Sequence, residues 1–350
     1  MDFTMTQAQT TLGALTRQIL ADRKPAKEFD RPLWMDLAKA GVLCAALASS
    51  AGGEGYGLLE QCTILSEIGR GVAPLPYATC IAGAASAIAR FGSPALVDGW
   101  ARPAGRGEAV LTVAFPDGTV HTRASPSGIV LEGSCTAVPA GIYADLILVA
   151  VDGTGVALVS PSDEGTSVQP QQIAGGPGAG HMCFDSVRVP TERVLADPAA
   201  ARWLRERVTV GLCATQLGIL ERAVELTAEH ARTRVQFGRP IGTFQAVAQR
   251  LADAYVDLQA VRLTLWQAAW RLARDLPCPT EVGTAKFWAA DAGHRVAHTA
   301  VHVHGGAGID VDHIVQRYFL AAKYHELTLG GATAQLLDIG SALITAELDA

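Results

Sequence analysis

Three long runs of helical periodicity after Pro198 constrain the fold more than anything else in the chain. Apolar residues recur at three- and four-residue spacing over Ala199–Arg234, Thr243–Asp275 and Glu281–Val303. Each run is long enough for one helix of a bundle, and a shorter pattern closes the chain. A helix with an apolar stripe must bury it against another element, so the succession predicts a C-terminal four-helix bundle.

Upstream the texture changes twice. From about Thr10 to Trp100 it is again helical. Asp30-Arg-Pro-Leu-Trp-Met-Asp-Leu-Ala-Lys-Ala-Gly41 has a capping Asp, a Pro in the first turn and a closing Gly. Leu59–Gly69 and Leu75–Phe91 follow at helical spacing. The glycine-rich break Ser50–Gly57 lacks the Lys-Ser/Thr of a phosphate-binding loop and reads as a flexible connector. From Glu108 to Asp197 short β-rich runs appear instead: Val110–Phe115, Gly128–Glu132, Leu146–Val151, Val156–Val159 and Met182–Val189. Gly, Pro, Asp and Ser separate them, as in a small barrel or sandwich. The expected class is α+β: an N-terminal helical domain over 1–107, a middle β-domain over 108–197 and a C-terminal bundle domain over 198–350.

The bulk numbers exclude some functions. With 350 residues, 49% hydrophobic and 18% charged, the chain suits a large buried core. A net charge of −6 without a basic run gives no reason to expect nucleic acid or an anionic membrane surface. No apolar stretch approaches the roughly 20 residues of a bilayer span, and Met1–Thr10 is polar without a signal-peptide core. Seven cysteines without a Cys-x-x-Cys pair argue against a zinc site or disulfide framework and for a reducing cytoplasm. His294, His298 and His302 fall on one helix face, but no carboxylate or Cys pattern supports a metal there.

Three motifs carry chemistry. The run Cys183-Phe-Asp-Ser-Val-Arg-Val-Pro-Thr-Glu-Arg-Val-Leu195 ends a strand at Pro190. The connector Arg232-Thr-Arg-Val-Gln-Phe-Gly-Arg-Pro-Ile-Gly-Thr-Phe-Gln245 crowds three arginines and two Phe between helical patterns. His302-Val-His-Gly-Gly-Ala-Gly-Ile-Asp310 follows the third long helix. In that order they resemble the β-domain closing strand, the Arg-x-x-Phe-Gly turn and the Gln-x-x-Gly-Gly-x-Gly signature of the acyl-CoA dehydrogenase family. The resemblance covers nearly the whole chain. It implies FAD as cofactor, an acyl-CoA thioester as substrate, α,β-desaturation as reaction and an electron-transfer flavoprotein as acceptor. By the same resemblance Arg234, Gln236 and Phe237 reach a neighbouring subunit's FAD. His302, Gly305 and Gly306 line the cofactor, with His302 replacing the family's Gln.

The family's chemistry needs a carboxylate within reach of the substrate α-proton and a flavin to take the β-hydride. Both family base positions are changed here. The Glu preceding a Gly reads Leu329-Gly330, so no catalytic residue stands there. The helix position used by other members reads Val208. Glu206 lies two residues from it, turned by about 200°, and a solvated or Arg-paired carboxylate is its plainer reading. The flavin-contacting β-domain run reads Ala114-Phe-Pro-Asp-Gly-Thr-Val-His121. The Trp-x-Thr wall reads Ala137-Val-Pro139, without ring or hydroxyl. Residues for this subunit's own flavin are depleted and those for a neighbour's are kept. With the ending Leu327-Thr-Leu-Gly-Gly331, this resembles the short β subunit of α2β2 acyl-CoA dehydrogenases of bacterial steroid side-chain degradation. It implies a longer partner subunit that supplies the base, FAD shared across the interface and a steroid side-chain CoA ester. Two alternatives stay open: a self-sufficient homotetramer using Glu206, and a non-catalytic scaffold.

Overall fold

The computed structural model describes residues 4–21, 23, 26–151 and 153–348, with side chains through 344. Three residues of the polar Met1–Thr10 stretch therefore lie outside the described residues. The chain forms two compact units. One is Thr6–Ile64 with Pro74–Gly211; the other is Leu65–Ala73 with Leu212 onward.

The first unit begins with helices α1 (Gln7–Ala21) and α2 (Arg31–Lys39). The Asp30 carboxylate accepts from the Leu33 N–H (2.9 Å), satisfying one orphan donor of the first turn of α2. Gly41, at φ 78°, donates to the Ala38 carbonyl (2.9 Å) and closes the helix. Helix α3 (Leu58–Arg70) and the buried α4 (Ala78–Phe91) follow. The Ser50–Gly57 stretch differs from the flexible connector expected. Gly53 and Gly55 donate to the carbonyls of Ala48 (3.2 Å) and Leu47 (3.0 Å), and a Cβ on Gly53 would stand 2.1 Å from the Leu47 oxygen. These glycines allow backbone to pack on backbone.

Eight strands follow: β1 (Leu111–Ala114), β2 (Val120–Ser125), β3 (Gly128–Pro139), β4 (Leu146–Val151), β5 (Gly155–Val159), β6 (Thr166–Gln171), β7 (Ala179–Pro190) and β8 (Val194–Leu195). They form two four-stranded sheets, β1-β4-β5-β8 and β2-β3-β7-β6. Leu131, Ile147, Val149, Val159, Met182, Phe184 and Val187 form a core between them, so the middle region is a sandwich. Strand β4 is buried over Leu146–Val149, which gives it an unbroken apolar run rather than an alternating one.

In the second unit, the end of α3 crosses α5 (Ala200–Thr233) at two glycines. A Cβ on Gly69 would lie 2.0 Å from the Thr215 oxygen, and one on Gly218 would lie 1.8 Å from the Ser66 oxygen. Helix α7 (Pro279–His304) packs against α6 (Gln245–Leu272), α8 (Ile314–Leu327) and α9 (Ala332–Leu348). Gln216 on α5 donates to the carbonyls of Ala289 on α7 (3.1 Å) and Ala322 on α8 (3.2 Å), tying three helices. The closing pattern is thus two helices; α8 buries Val315, Tyr318, Ala321 and Ala322, but many of the other apolar residues face outward. Leu327, Leu336, Leu337, Leu343 and Ile344 are exposed. By length and composition alone the stretch Ile314–Ile344 holds an 18-residue window, of mean hydropathy 1.3, apolar enough for a bilayer span, contrary to the expectation from sequence. Its helical hydrogen bonding breaks between Leu327 and Ala332, where Leu329 (φ 59°) and Gly330 (φ 91°) are left-handed.

Candidate functional site

Helix α5 ends where the Arg234 N–H donates to the His230 carbonyl (2.8 Å). The chain then turns back in a two-rung hairpin, β9 (Val235–Gln236) against β10 (Arg239–Pro240). Phe237 (φ 52°) and Gly238 (φ 77°) form its turn. Two successive positive φ angles suit Asn-Gly or Gly-Gly; a phenylalanine there is strained. Phe237 is 92% exposed, touching the Phe244 ring edge-on at 6.1 Å. Of the connector's arginines, Arg232 pairs with Glu229 (2.6 Å) and Arg239 lies over Phe244 (4.2 Å). Arg234 and Gln236 are exposed and make no side-chain hydrogen bond or ion pair among the described residues.

The glycine run at the end of α7 divides in the same way. Gly308 is packed: a Cβ would meet the Val301 oxygen at 2.7 Å. Gly305 holds φ 62° and ψ −137°, a conformation that favours glycine. Gly306 has no positive φ, and a Cβ there would meet nothing within 4 Å. Neither backbone strain nor intrachain crowding accounts for the missing side chain at Gly306. A bare, exposed backbone at this place leaves room for a group approaching closely from outside. His302 is exposed beside it, while the tilted rings of His294 and His298 lie 4.4 Å apart and turn toward Glu326 and Phe319. No group of three or more His, Cys, Asp or Glu among the described residues could hold a metal ion.

The candidate base positions are now placed. Leu329 is half-buried just past α8, its carbonyl accepting from Gln335 Nε2 (3.0 Å). The helix end before it is held by Lys286, fully buried on α7, whose Nζ donates to the carbonyls of His325 (2.9 Å) and Glu326 (3.0 Å). Burial pushes the Lys286 pKa down, with Cys213 and Glu326 opposing. Sequence reasoning passed over Lys286; a lone charge on the apolar face of an alanine-rich helix was the available signal. The Glu326 carboxylate is engaged by Lys323 (2.6 Å) and His294 (3.2 Å), and Asp310 accepts from the Asp312 N–H (3.0 Å). Val208 is buried against Gly83. Glu206 departs from the solvated or Arg-paired reading: it is half-buried and makes no ion pair among the described residues. Desolvation raises its pKa, with Arg202 at a distance opposing.

In the other unit, the β-domain segments are committed to partners within the chain. In the turn after β1, Asp117 pairs with Arg205 of α5, whose guanidinium lies 4.7 Å from the centre of the Phe115 ring. Thr119 Oγ1 donates toward the carbonyls of Pro116 and Ser134, both at 2.6 Å. The run Ala137-Val-Pro139 includes a β-bulge in which Ala137 takes φ 54°. Its N–H donates to Gln171 Oε1 (2.5 Å), and the Pro139 carbonyl accepts from the Thr112 hydroxyl. No side chain in this run offers a donor. Neither Arg205 nor Gln171 was anticipated, because both act through contacts distant in sequence.

Comparison with known proteins supplies the family. The model of the acyl-CoA dehydrogenase N-terminal domain matches residues 8–108, and that of the C-terminal domain matches 200–344. The acyl-CoA dehydrogenase FadE27 of Mycobacterium tuberculosis is 45% identical, covering 98% of this chain and 99% of that protein. The structure of the ChsE4–ChsE5 complex from Mycobacterium tuberculosis superposes with a TM-score of 0.93 at 46% identity, over 98% of this chain and 99% of that one. A variant of the steroid acyl-CoA dehydrogenase Tcur3481–Tcur3483 gives 0.91 at 35% identity, over 97% and 98%.

Proposed function

The chain belongs to the acyl-CoA dehydrogenase family of FAD-dependent oxidoreductases, and we propose that within it the chain is a partner subunit. It completes a FAD site on a longer acyl-CoA dehydrogenase subunit in an α2β2 assembly and supplies no catalytic base of its own. One observation carries this reading. Among the described residues the Arg234 side chain has no hydrogen bond or ion pair, and the strained, exposed Phe237 has one edge contact with Phe244. FAD, when bound, supplies the oxidising power. Arg234 offers a fixed positive charge to its anionic part, Gln236 a hydrogen-bonding amide and Phe237 an aromatic face. His302 offers a hydrogen-bonding ring, and the bare Gly305–Gly306 backbone allows close approach. With Leu329 at one base position and Val208 at the other, removal of the substrate α-proton falls to the partner.

The proposed substrate is an acyl-CoA thioester, in particular a steroid side-chain CoA ester. The support is likeness to a heteromeric complex and to a steroid acyl-CoA dehydrogenase. An electron-transfer flavoprotein is the proposed acceptor. On this reading the β-domain spans residues 108–197 between helical regions 1–107 and 198–350, and works as a scaffold, its turn closed by Arg205.

The deciding experiment is purification of the chain alone and after co-expression with a longer family member. Colourless protein alone and a yellow, acyl-CoA-oxidising complex are expected. Yellow, active protein from this chain alone would refute the reading. Such a result would favour the self-sufficient enzyme, for which the half-buried, unpaired Glu206 is the specific observation.

A further inference from the structure

Three histidines, of which only His304 lies within a sequence motif, meet beside the proposed cofactor contacts. His230 lies in the last turn of α5, His304 ends α7 and His313 caps α8. The His230 and His304 rings stack at 4.3 Å with 25° between planes. His304 and His313 meet edge to face at 5.3 Å. His304 is 8% exposed, and its Nδ1–H donates to the Ala300 carbonyl (2.8 Å), which leaves Nε2 with the lone pair in the neutral ring. His313 Nδ1 accepts from the Val315 N–H (3.2 Å), which places its proton on Nε2.

Their position gives the cluster its meaning. His230 stands four residues before Arg234 and accepts that residue's N–H at its carbonyl. His304 directly precedes Gly305. The hairpin carrying Arg234 and Phe237 and the turn carrying Gly305 and Gly306 are irregular, exposed segments of separate elements. The imidazole stack joins the two at their roots. We infer that His230, His304 and His313 form a clamp that positions the Arg234–Phe237 hairpin against the Gly305–Gly306 turn, so that both present a single surface to the cofactor. The inference rests on reading those two segments as FAD contacts.

The clamp fits neutral rings. Desolvation pushes both His230 and His304 below the ordinary imidazole range. His304, Arg234 and His313 add to the effect on His230; at His304, His313 adds to it and the Ala300 hydrogen bond opposes. A proton on His304 Nε2 would set a cation against a stacked ring that already faces Arg234. Acid therefore opens the stack and separates the two segments.

The test uses the chain alone and its complex with the longer partner. In the chain alone, amide hydrogen exchange is followed over residues 234–238 and 305–308 for wild type, His304→Ala and His304→Phe. His304→Ala is expected to quicken exchange in both segments together, and His304→Phe, which keeps a ring in the stack, to restore them. In the complex, FAD release is followed by flavin fluorescence from pH 5 to 8. Wild type is expected to lose FAD as the pH falls. His304→Ala is expected to hold FAD about tenfold more weakly at pH 7.5, the effect of one lost stacked pair. His304→Phe is expected to keep FAD at pH 7.5 and lose the acid step. His230→Ala, at the less buried ring, repeats the test should His304→Ala fail to fold. Unchanged exchange in both segments with an unchanged pH profile overturns the clamp. Coupled exchange without any effect on FAD supports the clamp and instead refutes the reading of these segments as cofactor contacts.

Discussion

Phe237→Gly separates what the α5–α6 hairpin does for this chain from what it does for a complex. In the free chain the ring is 92% exposed and its backbone sits at φ 52°. Relief of a left-handed non-glycine residue is worth about 1–2 kcal/mol. Against it stand roughly 0.5–1 kcal/mol of added glycine entropy and about 0.5 kcal/mol for an exposed edge contact with Phe244. The sum lies within about 1 kcal/mol of zero, so the urea midpoint of the chain alone should hardly move. On the proposed function the same change removes, in the complex, a ring that packs against the cofactor. Full burial of a Phe side chain is worth about 1.5–3 kcal/mol, which is roughly a 10- to 100-fold loss of FAD affinity. FAD affinity is read by fluorescence titration of the deflavinated complex. A loss of more than about 2 kcal/mol in the chain alone would show that Phe237 serves its own fold after all. Wild-type FAD affinity in the complex would remove it from the cofactor site.

Leu329→Glu puts a carboxylate where the proposed reading places the family's base. The chain alone is expected to stay inactive toward acyl-CoA in a dye-reduction assay, because its β-domain segments remain committed to Arg205, Gln171 and Thr112; activity gained by this change alone refutes that account. Glu206→Gln is expected to leave turnover of the complex intact. It should also remove a pH effect on stability. Since the folded-state pKa is raised, ionisation is disfavoured in the fold, and stability falls as pH climbs from the unfolded value through the folded one. Denaturation curves from pH 4 to 8 should therefore be flatter for Glu206→Gln, whereas lost turnover would make Glu206 the base. Lys286→Met keeps volume but strands the carbonyls of His325 and Glu326, at about 1–3 kcal/mol for each buried acceptor left unpaired. A drop of about 2–5 kcal/mol in unfolding free energy is expected; no change would mean that water replaces the ammonium.

The legible parts of the fold were those specified by neighbours in sequence. The cap at Asp30, the stop at Gly41 and the long helices of the second half lie within a residue or three of where periodicity puts them. Strands β4 and β5 announce themselves because the sheet buries both of their faces. Strands β2 and β6 escaped because they are the edges of their sheet, with exposed residues such as His121, Arg123, Ser167 and Gln169. An edge strand pairs through its backbone on one side only and needs little apolar alternation. The candidate site divides likewise. Motif residues could be named from spacing, but the left-handed turn under Phe237, the Lys286 cap and the histidine stack depend on which elements approach in space. Ser50–Gly57 was misjudged for the converse reason: glycine permits looseness and close packing alike, and only the position of the Leu47 carbonyl decides between them.

Strain and exposure together make the strongest case for an outside partner. An exposed phenylalanine costs a free chain little, and a strained one can be held by packing. Phe237 is both strained and unpacked, so its own chain offers no compensation beyond one edge contact with Phe244. Gly306 poses the same question in reverse: it lacks a side chain where neither φ nor crowding forbids one. Arg234, in the same compact unit, adds a cation without a counter-ion among the described residues. These three residues come from two segments whose helices are joined at the His230–His304 stack. A single anionic, aromatic-bearing ligand presented by another subunit accounts for all three: for the charge, for the ring and for the bare backbone. Three unrelated accidents of sequence would be required otherwise.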